Sequence, residues 1–256
     1  MHIKICLDKK KIFYKNIENM GSKMNKEETI AVGWCDNGTT DGVFVEGLMT
    51  IAVTENNTGF PIRTFVRVEG NQIARQRQAL LDFWYDKTNT DWLFWVDSDI
   101  LLTQDVWQKI CKTADKKTRP IVSGVYFIAK EKDDSLPILL PCIFDDVDDI
   151  TVKFHHPLPD NKVIKIDSAG MGLVIMHRDV VSKLKNKYGD KYFLFGENNG
   201  SGDEFIGEDI AFFRNCKKIN IPVYANTGAI AKHIKRTPWS DQLYALYWNN
   251  KNTPPN

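Results

Sequence analysis

An apolar run, Trp92-Leu93-Phe94-Trp95-Val96, ends in Asp97-Ser98-Asp99, and this junction carries the sharpest chemistry in the chain. In an extended segment residues i and i+2 point the same way, so both carboxylates can approach one cation. Hard oxygen donors that leave an ion partly hydrated suit Mg²⁺ or Mn²⁺ bridging a diphosphate. A solvated turn is the plain alternative for any Asp-x-Asp. Here the apolar strand before it and Ile100-Leu101-Leu102 after it argue against that. A second acidic pair, Glu208-Asp209, opens a helical segment, where the helix dipole favours negative charge. Arg75 and Arg77 sit in another helical segment as candidates for phosphate or for a solvated face, and Asp36-Asn37-Gly38 form a turn that permits close backbone approach.

The elements that must position these residues alternate. Residues 29–34 read as a short β run ending in a cluster of turn formers, residues 35–42, and residues 43–52 as a helix. Residues 61–68 read as a strand and 72–86 as a helix with Ile73, Leu80, Leu81 and Trp84 as its apolar stripe, leaving Arg75 and Arg77 off it. Residues 91–96 suit a strand buried on both faces. A helix over 105–114 and a strand over 121–128 follow. Alternating strand and helix is the signature of βαβ units and a parallel sheet, whose carboxyl edge binds ligands. The second half predicts short strands at 163–166, 172–176 and 223–225, with helices at 179–188 and 208–217. One α/β domain over 29–248 is expected, with a mostly parallel central sheet flanked by helices. Residues 1–28 are expected to be a poorly ordered or accessory lead-in, within which Met24 is an alternative start, and 249–256 a polar tail.

With these motifs in order, the chain resembles the nucleotide-sugar-dependent glycosyltransferases of the GT-A fold, a Rossmann-like domain with an Asp-x-Asp motif. Besides that motif, four stretches carry the likeness: residues 31–42 (AVGWCDNGTTDG), 71–84 (NQIARQRQALLDFW), 166–181 (IDSAGMGLVIMHRDVV) and 205–233 (FIGEDIAFFRNCKKINIPVYANTGAIAKH). The resemblance implies a metal site of Asp97, Asp99 and His233 holding Mn²⁺ or Mg²⁺. It implies a UDP- or GDP-sugar donor contacted by Asp36, Asn37, Gly38, Arg77, Asp97 and Ser98. Gly170, Met171, Gly172 and Trp239 fall on the acceptor side. The catalytic base falls in the Glu208-Asp209 pair, Asp209 favoured, as in inverting members, although retaining members share the fold. Gln78 follows Arg77 where the family often has Asn.

Composition narrows the classes. The 256 residues carry 34 Lys+Arg against 33 Asp+Glu, a formal charge of +1, so no global field draws the chain onto polyanions. An aromatic content of 11% excludes a disordered chain. No apolar run approaches the roughly 20 residues that span a bilayer, so a soluble protein is expected. The five scattered cysteines, with no C-x-x-C pair, suggest a reducing compartment, hence the cytoplasm, or a host cytoplasm for a viral or bacterial-type enzyme. Lysine-rich segments at 183–191 and 232–236 would serve a polyanionic acceptor if they converged. The acceptor is therefore a glycan or, as a second option, a hydroxylated base in phage-type DNA. Two other functions fit the pattern. One is a nucleotidyltransferase using the same acids for Mg²⁺, against which stands the absence of Lys and Arg from residues 35–42. The other is a non-catalytic carbohydrate- or nucleic-acid-binding module built on Trp239, Tyr244, Tyr247 and Trp248.

Overall fold

The computed structural model describes residues 5–8, 10–16, 28–54, 61–130, 138–148, 151–191, 207–235 and 245. The first half runs β1 (Ile5–Asp8), β2 (Lys10–Asn16), β3 (Ile30–Asp36), α1 (Gly42–Thr54), β4 (Ile62–Glu69), α2 (Ile73–Lys87), β5 (Trp92–Val96), β6 (Ile100–Leu101) and α3 (Gln104–Thr113). Then come β7 (Ile121–Val125), β8 (Phe127–Lys130), β9 (Ile138–Pro141), β10 (Ile143–Asp146), β11 (Val152–Phe154), β12 (Val163–Ile166), β13 (Ser168–Ala169) and β14 (Leu173–His177). The chain closes with α4 (Arg178–Tyr188), α5 (Glu208–Lys218), β15 (Val223–Ile230) and β16 (Lys232–His233).

Seven strands in the order β4-β3-β5-β14-β7-β15-β12 form the central sheet, and the β1–β2 hairpin extends it beyond β4. Strands β4, β3 and β5 are mutually parallel, as are β7 and β15. β14 lies antiparallel between β5 and β7, and β12 antiparallel at the far edge. The expected mixed α/β domain with a largely parallel core is what the chain forms.

The alternation of side chains along β5 explains its wholly apolar sequence. Trp92, Phe94 and Val96 pack into the core layer shared with α1 and α3, whereas Leu93 and Trp95 pack into the layer shared with α2, α4 and α5. All five residues are buried. A strand covered by helices on both faces has no polar side to show. Local anchors fix the helices against this sheet. Thr103 Oγ1 accepts from Val106 N at the start of α3. Arg178, first residue of α4, donates to the carbonyls of Tyr85, Thr88 and Thr90, satisfying carbonyls where α2 ends.

Three expected elements differ. The strand foreseen over 121–128 breaks at Tyr126: β7 stays in the central sheet, and β8 leaves it to pair with β9. The strand foreseen over 223–225 continues to Ile230, because β15 is held by β7 on one side and β12 on the other. Ile73 is not part of the α2 core stripe but 41% exposed, while Arg77 is 5% exposed, held inward by the carboxylates of Asp97 and Glu208.

Candidate functional site

Because β3, β5, β7 and β15 run the same way, their carboxyl ends gather at one edge of the sheet. β14 begins at that edge, and Gly172 O accepts from Asp97 N at 2.9 Å. Asp97 then turns back through Ile100 N, which donates to its carbonyl at 3.0 Å, leaving Asp97 and Asp99 on a short loop between β5 and β6. A side chain at Gly172 would put its Cβ 2.9 Å from Asp97 Oδ2, and one at Gly170 would collide with Tyr126 Oη and Cys142 Sγ. The glycines are therefore required by close packing beneath the carboxylate. Met171 between them is fully buried in the core, so its side chain is a packing residue.

Asp97 is tied inward. Arg77 Nη2 donates to Asp97 Oδ2 at 3.1 Å, and Trp95 Nε1 to Oδ1 at 3.3 Å. Arg77 Nη1 donates to Glu208 Oε1 at 2.6 Å, so one guanidinium spans from the strand end to the start of α5. Burial opposes the charge on Arg77, but Asp97, Asp209 and Glu208 around it hold it firmly protonated. Its Nε, buried, has no hydrogen-bond partner among the described residues.

Asp99 is tied outward and to the end of the chain. β16 pairs with β6 with His233 opposite Ile100, which carries the imidazole to the loop. His233 Nδ1 lies 3.0 Å from Phe127 O, and since a carbonyl only accepts, Nδ1 carries the proton. Nε2 then faces Asp99 Oδ2 at 3.2 Å and donates to it in the imidazolium, where both ring nitrogens carry protons. Exposed Lys235 donates from Nζ to the same oxygen at 2.6 Å. Burial pushes the Asp99 carboxyl up, but the bonds from His233 and Lys235 prevail and hold it at about 2.

The donor set suits a divalent cation. A metal-binding histidine ordinarily gives its other ring N–H to a carbonyl, as His233 does to Phe127. Among the described residues no three His, Cys, Asp or Glu side chains stand close enough to hold an ion by themselves.

Two cavities meet at this loop. One, of about 460 Å³, is lined by Asn37, Thr39, Thr40, Asp41, Ile73 and Ser98, with both aspartates at its border. Asn37 and Ser98, two of the residues expected to contact the nucleotide, line this cavity. Gly38 adopts φ 104°, the left-handed region that favours glycine, and its N–H donates to Asp36 Oδ1 at 2.8 Å. Asp36 itself is committed inward: Arg67 donates to it twice, at 2.6 and 2.7 Å, and Trp34 Nε1 at 3.0 Å. Its side chain is fully buried, so it braces the loop and presents no free oxygen to the cavity. The second cavity, of about 430 Å³, contains Asp209, Asp97 and Asp99 at one end. Burial pushes the Asp209 carboxyl up, Glu208 adds to the effect and Arg77 opposes it.

Several basic residues are paired with acids. On α4, Lys185 pairs with Asp82 and Asp86 of α2, and on α5 Arg214 and Lys217 pair with Asp146. Trp239, Tyr244, Tyr247 and Trp248 lie outside the described residues. What sequence reasoning missed is the Arg77–Glu208 bridge, the bracing role of Asp36, Lys235 on Asp99, and the wall of the second cavity.

No family model matches the chain, and no curated protein matches it. Among solved structures it is similar to A197 from STIV, 16% identical, covering 82% of this chain and 86% of that one with a TM-score of 0.50. It is also similar to GalNAc-T7, crystallised with UDP, GalNAc and Mn²⁺, at 10% identity, 82% and 43% coverage and a TM-score of 0.44. A third is the inositol-1-phosphate CTP transferase from T. maritima, at 12% identity, 89% and 98% coverage and a TM-score of 0.41. At 16% identity and a TM-score of 0.50 the first likeness speaks to the fold alone, and the site must be argued from its own geometry.

Proposed function

We propose that this chain is a metal-dependent glycosyltransferase of the GT-A type, moving a sugar from a nucleoside-diphosphate sugar to a hydroxyl acceptor with inversion. One observation carries the proposal: at the carboxyl edge Asp97 and Asp99 line both cavities, while the His233 ring, its Nε2 turned to Asp99, and Asp209 line only the second.

In this mechanism Asp99 and His233, with Asp97 beside them, would hold Mn²⁺ or Mg²⁺ together with the donor's phosphates, and the ion would neutralise charge on the departing diphosphate. Asn37 and Ser98 line the nucleoside side, and the Gly38 turn lets backbone approach it. Arg77 fixes the orientation of Asp97. Asp209 takes the proton of the acceptor hydroxyl as its oxygen bonds to the anomeric carbon and the bond to the diphosphate breaks. A carboxyl raised by burial is suited to that role. Glu208 is committed to Arg77, which leaves Asp209 as the base. The transition state is oxocarbenium-like, as in glycoside hydrolysis.

No described helix is long and apolar enough to cross a membrane. The basic residues Lys185, Arg214 and Lys217 are paired with acids, which favours a glycan acceptor over DNA.

The test is a thermal-shift panel of UDP, GDP and their sugars, with and without Mn²⁺. A ligand that binds only the folded state raises the melting temperature with its occupancy. Stabilisation by one nucleotide that requires the metal is the expected result, whereas no nucleotide dependence would refute the proposal. Pyrophosphate release from a nucleoside triphosphate would instead identify nucleotidyl transfer.

A further inference from the structure

The second cavity has a built wall. Tyr126 and Ile128 flank the first residue of β8, Cys142 and Phe144 flank the start of β10, and Val152 and Phe154 belong to β11; all six line the cavity. In each pair the residues are two apart, so each extended segment turns one face to the same space. Phe144 and Phe154 are register partners across β10 and β11, with ring centroids 4.9 Å apart in an edge-to-face arrangement. Phe144 is 4% exposed and supports Phe154, which is only partly buried; Val152 and Ile128 are likewise partly buried and free to meet a ligand.

None of these six side chains carries a charge. The charged groups that share the cavity are Asp97, Asp99 and Asp209, with His233 and Lys235 both turned to Asp99 Oδ2. An anionic ligand in this cavity would face three carboxylates, and Lys235 is the one Lys or Arg among its described lining residues. A ligand with an apolar face and a hydroxyl would lay that face on the wall and its oxygen towards Asp209. Ligand cavities of this size commonly combine such apolar walls with a few polar groups that set orientation.

We infer that the β8–β10–β11 wall is the acceptor subsite, and that it selects an uncharged glycoside whose apolar aglycone lies beside the hydroxyl that is glycosylated. This rests on the proposed transferase reaction.

The experiment uses the full chain with Mn²⁺ and the nucleotide sugar that stabilises it. Release of nucleoside diphosphate is followed with methyl, octyl and 4-nitrophenyl hexosides and with hexose 6-phosphates. Octyl or nitrophenyl hexosides are expected to give a KM about ten-fold below that of the methyl hexosides, and the phosphates no stimulation. Phe154→Ala is expected to raise that KM about ten-fold with little change in kcat. Val152→Thr, nearly isosteric, should raise it in the same direction and covers the case in which Phe154→Ala does not fold. Equal use of methyl hexosides, preference for the phosphates, or an unchanged KM in a folded variant would overturn the subsite. Absence of any nucleotide-dependent thermal shift would overturn the transferase reading instead, so the two failures are distinguishable.

Discussion

Asp97 and Asp99 stand two residues apart, yet their surroundings are opposites. Asp97 is held from inside by Arg77, whose side chain is 6% exposed and which also grips Glu208. Asp99 is held from outside by His233 and by Lys235, whose side chain is 61% exposed. A buried guanidinium between two carboxylates is slow to give way, because releasing it strands charges in a poor solvent. A surface lysine is a weak and displaceable partner. The contrast separates two duties: Asp97 keeps the shape of the loop, and Asp99 has an oxygen occupied by a cation that can leave.

The largest effect should come from the outward acid. Asp99→Ala is expected to cut sugar transfer about a thousand-fold while leaving the melting temperature nearly unchanged. Full activity in that variant, or in the presence of a chelator, would remove Asp99 from the site. The inward acid's partner should show itself in stability. Arg77→Ala leaves Asp97 and Glu208 without their shared cation and is expected to cost about 3 kcal/mol in urea unfolding. A loss no larger than that of Arg75→Ala, an exposed position on the same helix, would show that the bridge is energetically idle.

Asp36 extends the comparison to a carboxylate with no role at the metal. Burial raises its pKa, but Arg67, the Gly38 N–H and Trp34 bring it below the ordinary value. Its stabilisation is therefore complete above the free carboxylate's 3.8 and is lost as the pH falls through the lower folded value. Asp36→Asn should cost about 2 kcal/mol at neutral pH, with the gap to the parent closing on acidification below that range. A gap that stayed constant with pH would mean that the charge contributes nothing. The smallest effect belongs to Lys235→Ala: Mn²⁺ with nucleotide should bind about two- to five-fold more tightly, since Nζ no longer competes for Asp99 Oδ2. Weaker binding would make Lys235 a ligand contact rather than a placeholder.

The first half of the fold was legible because its elements are set by local pattern. The apolar run of β5 can only be a doubly covered strand, and α2 declares its helical spacing. Asp97, Asp99, His233 and Asp209 were legible as residue types near element ends. Arg77 was not, because a helical wheel places a charged side chain outside unless its counter-charges are known, and Glu208 lies 131 positions away. The Phe154 wall escaped for a related reason: β8, β10 and β11 are four residues or shorter, too brief for a period of two to stand out. Asp36 looked like a ligand contact because turn composition cannot reveal that Arg67, on the neighbouring strand, already claims it.

The pairing of β16 with β6 brings His233 to Asp99, 134 positions earlier in the chain. Contacts of such separation carry a large loop-closure cost and tend to form after the local ones. A chain whose first half had folded would own both carboxylates but not the imidazole that completes them. In the proposed enzyme, competence for metal would in this way be deferred to the last stage of folding, and an incompletely folded molecule would be spared from loading a cation it cannot use.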